Sequence, residues 1–209
     1  MKVLLLNGSP RNDGCTYTAL AEVEKSLKKN GIDTQWVHIG TAPIRGCIAC
    51  GTCWKSNACV FDDDICNELA AKISEADGLI VGSPVYFSGP NGTLCALLDR
   101  VFYSSYAFPK RFRHKPAACV ISCRRGGASA AFDRLNKYFT ISQMPVVSSQ
   151  YWNAVHGNTP EHVLKDLEGL QIMRTLGNNM AWMLKNIENG NPPPEPEEKR
   201  EVTSFYDGL

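Results

Sequence analysis

Five short strand-like runs, Val3 to Leu6, Gln35 to Ile39, Leu79 to Val81, Ala117 to Ser122 and the pair Val146–Val147, alternate with stretches whose apolar residues recur at helical spacing. No other feature constrains the fold as tightly. Short apolar runs bounded by turn residues suit strands buried on both faces. Parallel neighbours need long crossovers, normally a helix of right-handed sense. The pattern therefore predicts an α/β chain with a doubly wound five-stranded parallel sheet and helices on both faces.

The helices carry their own marks. Thr16 to Lys29 holds Leu20, Val23 and Leu27 on one side, lysines in its last turn and Gly31 as a stop. Asp62, Asp63 and Asp64 offer an N-cap for a helix bearing Ile65, Leu69 and Ile73. Leu94, Leu97, Leu98, Val101 and Phe102 form a continuous apolar stripe, and a further helix is expected around Ala128 to Phe139. Thr159–Pro160 opens a pattern running through Leu167, Leu170, Met180 and Leu184 to Ile187, read as one long helix.

With 209 residues, 44% of them hydrophobic, the chain has material for one full core and no second large domain. The expected division is residues 1–150 for the sheet domain, including a Gly- and Cys-dense loop at 41–61, then a helical extension at 151–189 and a Pro/Glu-rich tail at 190–209. Phe205 and Tyr206 are candidate anchors for that tail on a partner subunit. Lysine and arginine total 22 against 21 acidic residues, with no basic stripe, which argues against nucleic acid. The run Val3 to Leu6 is too short for a signal peptide or a membrane span, so a cytoplasmic protein without membrane contact is expected. Nine cysteines in a reducing compartment point to metal, redox or core roles rather than disulfides.

In open α/β sheets, ligands bind beyond the carboxyl ends of the strands. Three strand ends carry polar or glycine-rich loops: Asn7 to Thr16, Ser83 to Gly92 and Ser122 to Gly127. In the first, a strand turns through Gly8, Ser9 and Pro10 into a helix start at Gly14, Cys15 and Thr16. Free N–H groups and the helix dipole suit a phosphate there, with hydroxyls from Ser9 and Thr16 and a charged fork from Arg11. No Lys-Ser/Thr follows as in a P-loop, and no G-x-G-x-x-G appears. A monophosphate fits better than a dinucleotide; a plain capped turn is the competing reading.

Cys47, Cys50, Cys53 and Cys59 follow the spacing C-x2-C-x2-C-x5-C. Three thiolates at successive x2 spacings can wrap three corners of a cubane while a fourth closes it, whereas zinc usually takes two separated pairs. Iron-sulfur is favoured over zinc, and bare thiols compete with both. Cys66 and Cys95 fall at core positions. Cys119 and Arg125 match the C-x5-R spacing of a tyrosine phosphatase, but Cys119 belongs to a buried strand, which rejects that chemistry. His156 reads first as a loop-capping residue.

The stretch from Gly8 through Ser9, Pro10, Arg11, Gly14 and Thr16, with Asp77 to Tyr86 and Leu98-Asp99-Arg100, resembles the flavodoxin-like NAD(P)H-dependent FMN reductases. Adding the cysteine loop makes it similar to their iron-sulfur flavoprotein branch, over roughly residues 1–150. Cys15 departs from the pattern, which has Asn there; a thiol is a weak donor, so a side-chain bond is lost while the backbone contact stays. The resemblance implies FMN, with Pro84, Val85, Tyr86 and Phe87 bordering the isoalloxazine and Asn91 and Gly92 close by. From the residues alone, stacking and core packing compete for Tyr86 and Phe87. It implies that Ser122, Cys123, Arg124, Arg125 and Gly126 approach the pyrimidine edge, with one arginine near the reduced flavin or a nicotinamide phosphate. It further implies a 4Fe-4S cluster and hydride transfer from NAD(P)H to flavin, then onward to a quinone-like, flavin or iron-sulfur acceptor. The alternative is a carrier exchanging single electrons with ferredoxin. A homodimer or homotetramer is expected, with the cysteine loop and tail at its interface.

Overall fold

Alternate residues of one strand face opposite sides of a sheet, and here both sides are dry. Leu4 and Leu6 of β1 (Lys2–Asn7) pack into one core, while Val3 and Leu5 pack into another. In the computed structural model, which describes residues 1–106 and 111–194, this division extends across the whole sheet. The expected tail anchors Phe205 and Tyr206 lie outside the described residues.

From β1 the chain runs through α1 (Cys15–Lys29), β2 (Asp33–His38), the short α2 (Cys53–Ser56), α3 (Cys66–Glu75), β3 (Gly78–Tyr86), a two-residue β4 (Gly89–Pro90) and α4 (Gly92–Tyr106). It continues through β5 (Ala117–Cys123), α5 (Ala128–Ile141), β6 (Ala154–His156), α6 (Pro160–Val163) and α7 (Leu167–Asn189). The parallel order is β2-β1-β3-β5-β6, with β4 folded back antiparallel on β3. Helices α3, α4 and α5 cover the face of Leu4, Val81 and Ile121; α1 and α7 cover that of Leu5, Ile80 and Val120. This is a flavodoxin-like α/β fold, and strand order reverses between β1 and β3, the position beyond whose carboxyl ends open α/β sheets bind ligands.

Two expectations at the carboxyl-terminal end are corrected. Val146 makes only a single bridge, to Ala117, and the fifth parallel strand proper is β6, after an excursion pinned by the Ser149 hydroxyl on the Tyr151 carbonyl and Asn153. The edge strand is thus interrupted rather than shifted. The expected single helix from Pro160 is two: Thr159 caps α6, and Asp166 caps α7 by accepting from the Gly169 N–H at 3.0 Å. Asp166 also accepts from the His156 N–H at 2.7 Å, which anchors the start of α7 to β6. Among the described residues no helix is long and apolar enough to cross a membrane.

Candidate functional site

Asn7, at the end of β1, builds the first loop from within. Its buried side chain accepts from the Ser9 N–H at 3.1 Å and donates to the Asn12 carbonyl at 3.1 Å. Ser9 in turn accepts from the Arg11 N–H through its hydroxyl at 3.1 Å. The His38 ring meets the Ser9 carbonyl at 2.8 Å from β2. These local bonds fix the turn without using the hydroxyl proton of Ser9. Gly8 is required by packing: a Cβ there would lie 2.4 Å from a Leu94 methyl and 2.5 Å from the Gly82 carbonyl. Following Gly14, α1 begins with no side-chain cap, so its first-turn N–H groups have no side-chain acceptor among the described residues. Arg11 is exposed beside them.

The other two loops close on this one. Thr16 and Ser122, both buried, share a hydroxyl–hydroxyl bond of 2.8 Å that ties the start of α1 to the end of β5. Asn91 donates to the Gly8 carbonyl at 2.8 Å and accepts from the Thr93 N–H at 3.0 Å, so its amide joins the loops and caps α4. Between β3 and β4, Phe87 and Ser88 both adopt left-handed φ, 49° and 62°, in a two-residue turn that non-glycine residues rarely take. Tyr86 is half exposed and Phe87 fully exposed at its tip, which removes the core reading for both. Gly127, at φ 86°, lets the third loop press against this hairpin: a Cβ there would lie 2.8 Å from the Ser88 Cα.

Of the remaining expected residues, Pro84 and Val85 are half-buried and Gly92 is open on the rim; Cys123 is buried, its thiol pushed up by burial. Arg124, Arg125 and Gly126 are exposed, and a Cβ at Gly126 would meet nothing within 4 Å. Cys15 is half-buried and turned away from the loop, its thiol donating to the Gly157 carbonyl at 3.7 Å, with burial raising its pKa. A cavity at the β6 end of the sheet is lined by Arg125, Phe132, Trp152, His156 and Ile172. Cys119 is wholly buried, hydrogen-bonded to the Phe132 carbonyl and Asn136, and pushed far above the ordinary thiol range by burial, which agrees with discarding the phosphatase reading.

Cys47, Cys50, Cys53 and Cys59 line one apolar pocket, together with Phe61, Arg100 and Tyr103. Left-handed backbone at Ala49, Gly51 and Asn57 winds the loop around it. The cysteines differ. Hydrogen bonds from Thr52 lower the pKa of exposed Cys50, whereas burial, then the neighbouring thiols, raise that of Cys53. The Asn67 amide grips the backbone of Cys59 from both sides, accepting from its N–H at 2.8 Å and donating to its carbonyl at 3.0 Å. Behind the pocket, Arg100 donates from Nε to the Cys59 sulfur at 3.2 Å and forms a buried ion pair with Asp64. Burial opposes ionisation of Asp64, yet bonds from Arg100 and the Cys66 N–H hold its carboxyl below the usual range. Among the described residues, no three metal-binding side chains converge closely enough for a single ion. The donor set around the pocket is nonetheless four thiols, the ligand type an iron-sulfur cluster takes.

Sequence reasoning missed His38 and the bond between Arg100 and Cys59, whose partners only the fold supplies, and Asn7 and Asn67, whose bonds to nearby loop backbone give no sequence signal beyond an ordinary asparagine. It did name the loops they hold.

A family model for NADPH-dependent FMN reductase matches residues 1–159. The chain belongs to this family. Within the NADPH-dependent FMN reductases it falls in the iron-sulfur flavoprotein branch. An iron-sulfur flavoprotein of Methanocaldococcus jannaschii is 33% identical over 193 residues, covering 90% of this chain and 100% of that protein. One from Methanosarcina thermophila is 28% identical, covering 90% of this chain and 97% of its own. Among solved structures, RosB with its bound intermediate 8-demethyl-8-formylriboflavin-5′-phosphate superposes with a TM-score of 0.72 at 14% identity, covering 100% of this chain and 96% of RosB. That likeness speaks for the fold. Membership of a flavin-binding family makes this reductase-family chain a flavin oxidoreductase or electron carrier.

Proposed function

We propose that this chain binds FMN beyond the carboxyl ends of β1 and β3 and couples it to a 4Fe-4S cluster on the cysteine loop, using NAD(P)H as reductant. The observation that carries the reading is the closure of three strand-end loops on one another, with Thr16 and Ser122 joined at 2.8 Å. FMN, when bound, accepts a hydride and gives electrons up singly or in pairs.

Each residue then has a task that its position supports. The uncapped first turn of α1, the Ser9 hydroxyl and Arg11 would hold the phosphate dianion, with the Cys15 N–H among the donors. Thr16 and Ser122 set the spacing between phosphate and ring sites. The strained hairpin of Pro84, Val85, Tyr86 and Phe87 would border the ring, and Gly92 would leave it room. The loop from Ser122 through Cys123 to Gly126 would offer backbone N–H groups to the pyrimidine edge, and Arg124 or Arg125 a compensating positive charge for the reduced ring. Asn91, whose amide is committed to Gly8 and Thr93, would act by holding the loops in register. Cys47, Cys50, Cys53 and Cys59 would ligate the cluster, and Tyr103 and Phe61 would keep water from its inner side.

Two routes for electrons remain distinct. Turnover of NAD(P)H with a small acceptor, without ferredoxin, supports the oxidoreductase reading. Exposure of Cys47 and Cys50 favours the second route, in which a protein such as ferredoxin reaches the cluster directly. Steady-state NAD(P)H oxidation by anaerobically purified protein, with and without ferredoxin, tests the choice; a chain that neither carries nor binds flavin overturns both.

A further inference from the structure

Arg100 stands on α4 with a side chain only 1% exposed, and Asp64 opposite it is 5% exposed. Burying such a pair is costly unless every donor is used, and an apolar pair of the same volume often serves stability better. Four bonds engage all three nitrogens, and every partner lies in the segment from Arg45 to Asp64. Nη1 bonds the Asp64 carboxylate and, at 3.2 Å, the Arg45 carbonyl; Nη2 reaches the Phe61 carbonyl at 3.2 Å. Nε is left for the Cys59 sulfur at 3.2 Å. The Phe61 ring lies 5.4 Å from the guanidinium carbon. Asp64 thus fixes a rigid fork through one nitrogen and aims another at sulfur.

We propose that Arg100 is a positioning residue that fixes the sulfur of Cys59 and, through its charge and its Nε–H, favours the reduced state of a cluster held by the cysteine loop. The inference rests on the cluster reading given above. One added electron leaves the site one unit more negative with no proton moved. A buried positive charge and an N–H···S bond stabilise that added charge, so they raise the reduction potential. The negative charge of Asp64 works against them. Removing Arg100 and neutralising Asp64 must therefore shift the potential in opposite directions, which a merely structural role does not require.

The test is potentiometry of the anaerobically purified holoprotein, followed by electron paramagnetic resonance, for wild type, Arg100→Gln, Arg100→Lys and Asp64→Asn. The cluster potential is expected to fall in Arg100→Gln, to fall less in Arg100→Lys and to rise in Asp64→Asn, with the flavin potential unmoved. Loss of iron to a chelator should be ~10- to 100-fold faster in Arg100→Gln. If Arg100→Gln does not fold, the opposite shifts of Arg100→Lys and Asp64→Asn decide. Shifts of the same sign, or none, in a wild-type-like cluster overturn the inference alone. Wild-type protein that holds flavin without iron overturns the cluster reading, and this inference with it.

Discussion

The hydroxyls of Thr16 and Ser122 meet at 2.8 Å inside the fold, across 106 residues of chain. Neither is spared for solvent, so the start of α1 and the end of β5 are set at a fixed separation. Thr16→Val deletes one partner and strands the other. The expected cost is about 1–2 kcal/mol, or roughly 5- to 30-fold weaker FMN binding. Flavin fluorescence quenching measures it; an unchanged Kd would separate this bond from flavin binding.

Cys15 is where the first loop leaves its family pattern, and its thiol turns to the Gly157 carbonyl rather than into the loop. Cys15→Ala keeps the backbone N–H. FMN affinity should stay within about two-fold of wild type. A ten-fold loss in the same titration would assign the thiol a direct contact.

Gly127 combines a φ of 86° with a site where a Cβ would strike Ser88. Gly127→Ala is expected to destabilise the protein by about 1–3 kcal/mol and to weaken flavin binding, since the hairpin it displaces carries Tyr86 and Phe87. Urea unfolding with and without FMN reads both effects.

Glu24 on α1 accepts from the Thr34 hydroxyl and from the Trp36 indole N–H at 2.8 Å, and pairs with Lys28 at 2.9 Å. Burial opposes its ionisation, but these bonds prevail and set its pKa below 4.5. A carboxyl depressed in the folded state contributes stability above its unfolded value, and that contribution fades as the pH falls through the folded one. Glu24→Gln should therefore cost about 1–2 kcal/mol at neutral pH and progressively less below pH 4.5, as urea midpoints across pH would show.

The sheet was legible because its central strands are nearly all apolar, and no other element suits such short runs. The edge was not. Val146 and Val147 look like a strand, yet the longer pairing falls to β6, where only Val155 is buried and the neighbours carry no strand signal. The break between α6 and α7 hid behind apolar spacing that continues across it, although Asp166 three residues before Gly169 is a readable cap. At the site, loops with glycines and cysteines announced themselves by residue type and spacing. Asn67 and Arg100 did not, since polar residues on amphipathic helices ordinarily face water, and only packing α3 and α4 beside the cysteine loop turns them inward.

The most direct measurement is the flavin and iron content of anaerobically purified protein, with its visible and paramagnetic spectra, for wild type and Cys53→Ser. One FMN and about four irons per chain are expected in wild type, with iron lost and flavin kept in the variant. Wild-type protein that holds no flavin, and takes up none when FMN is added, would contradict the account.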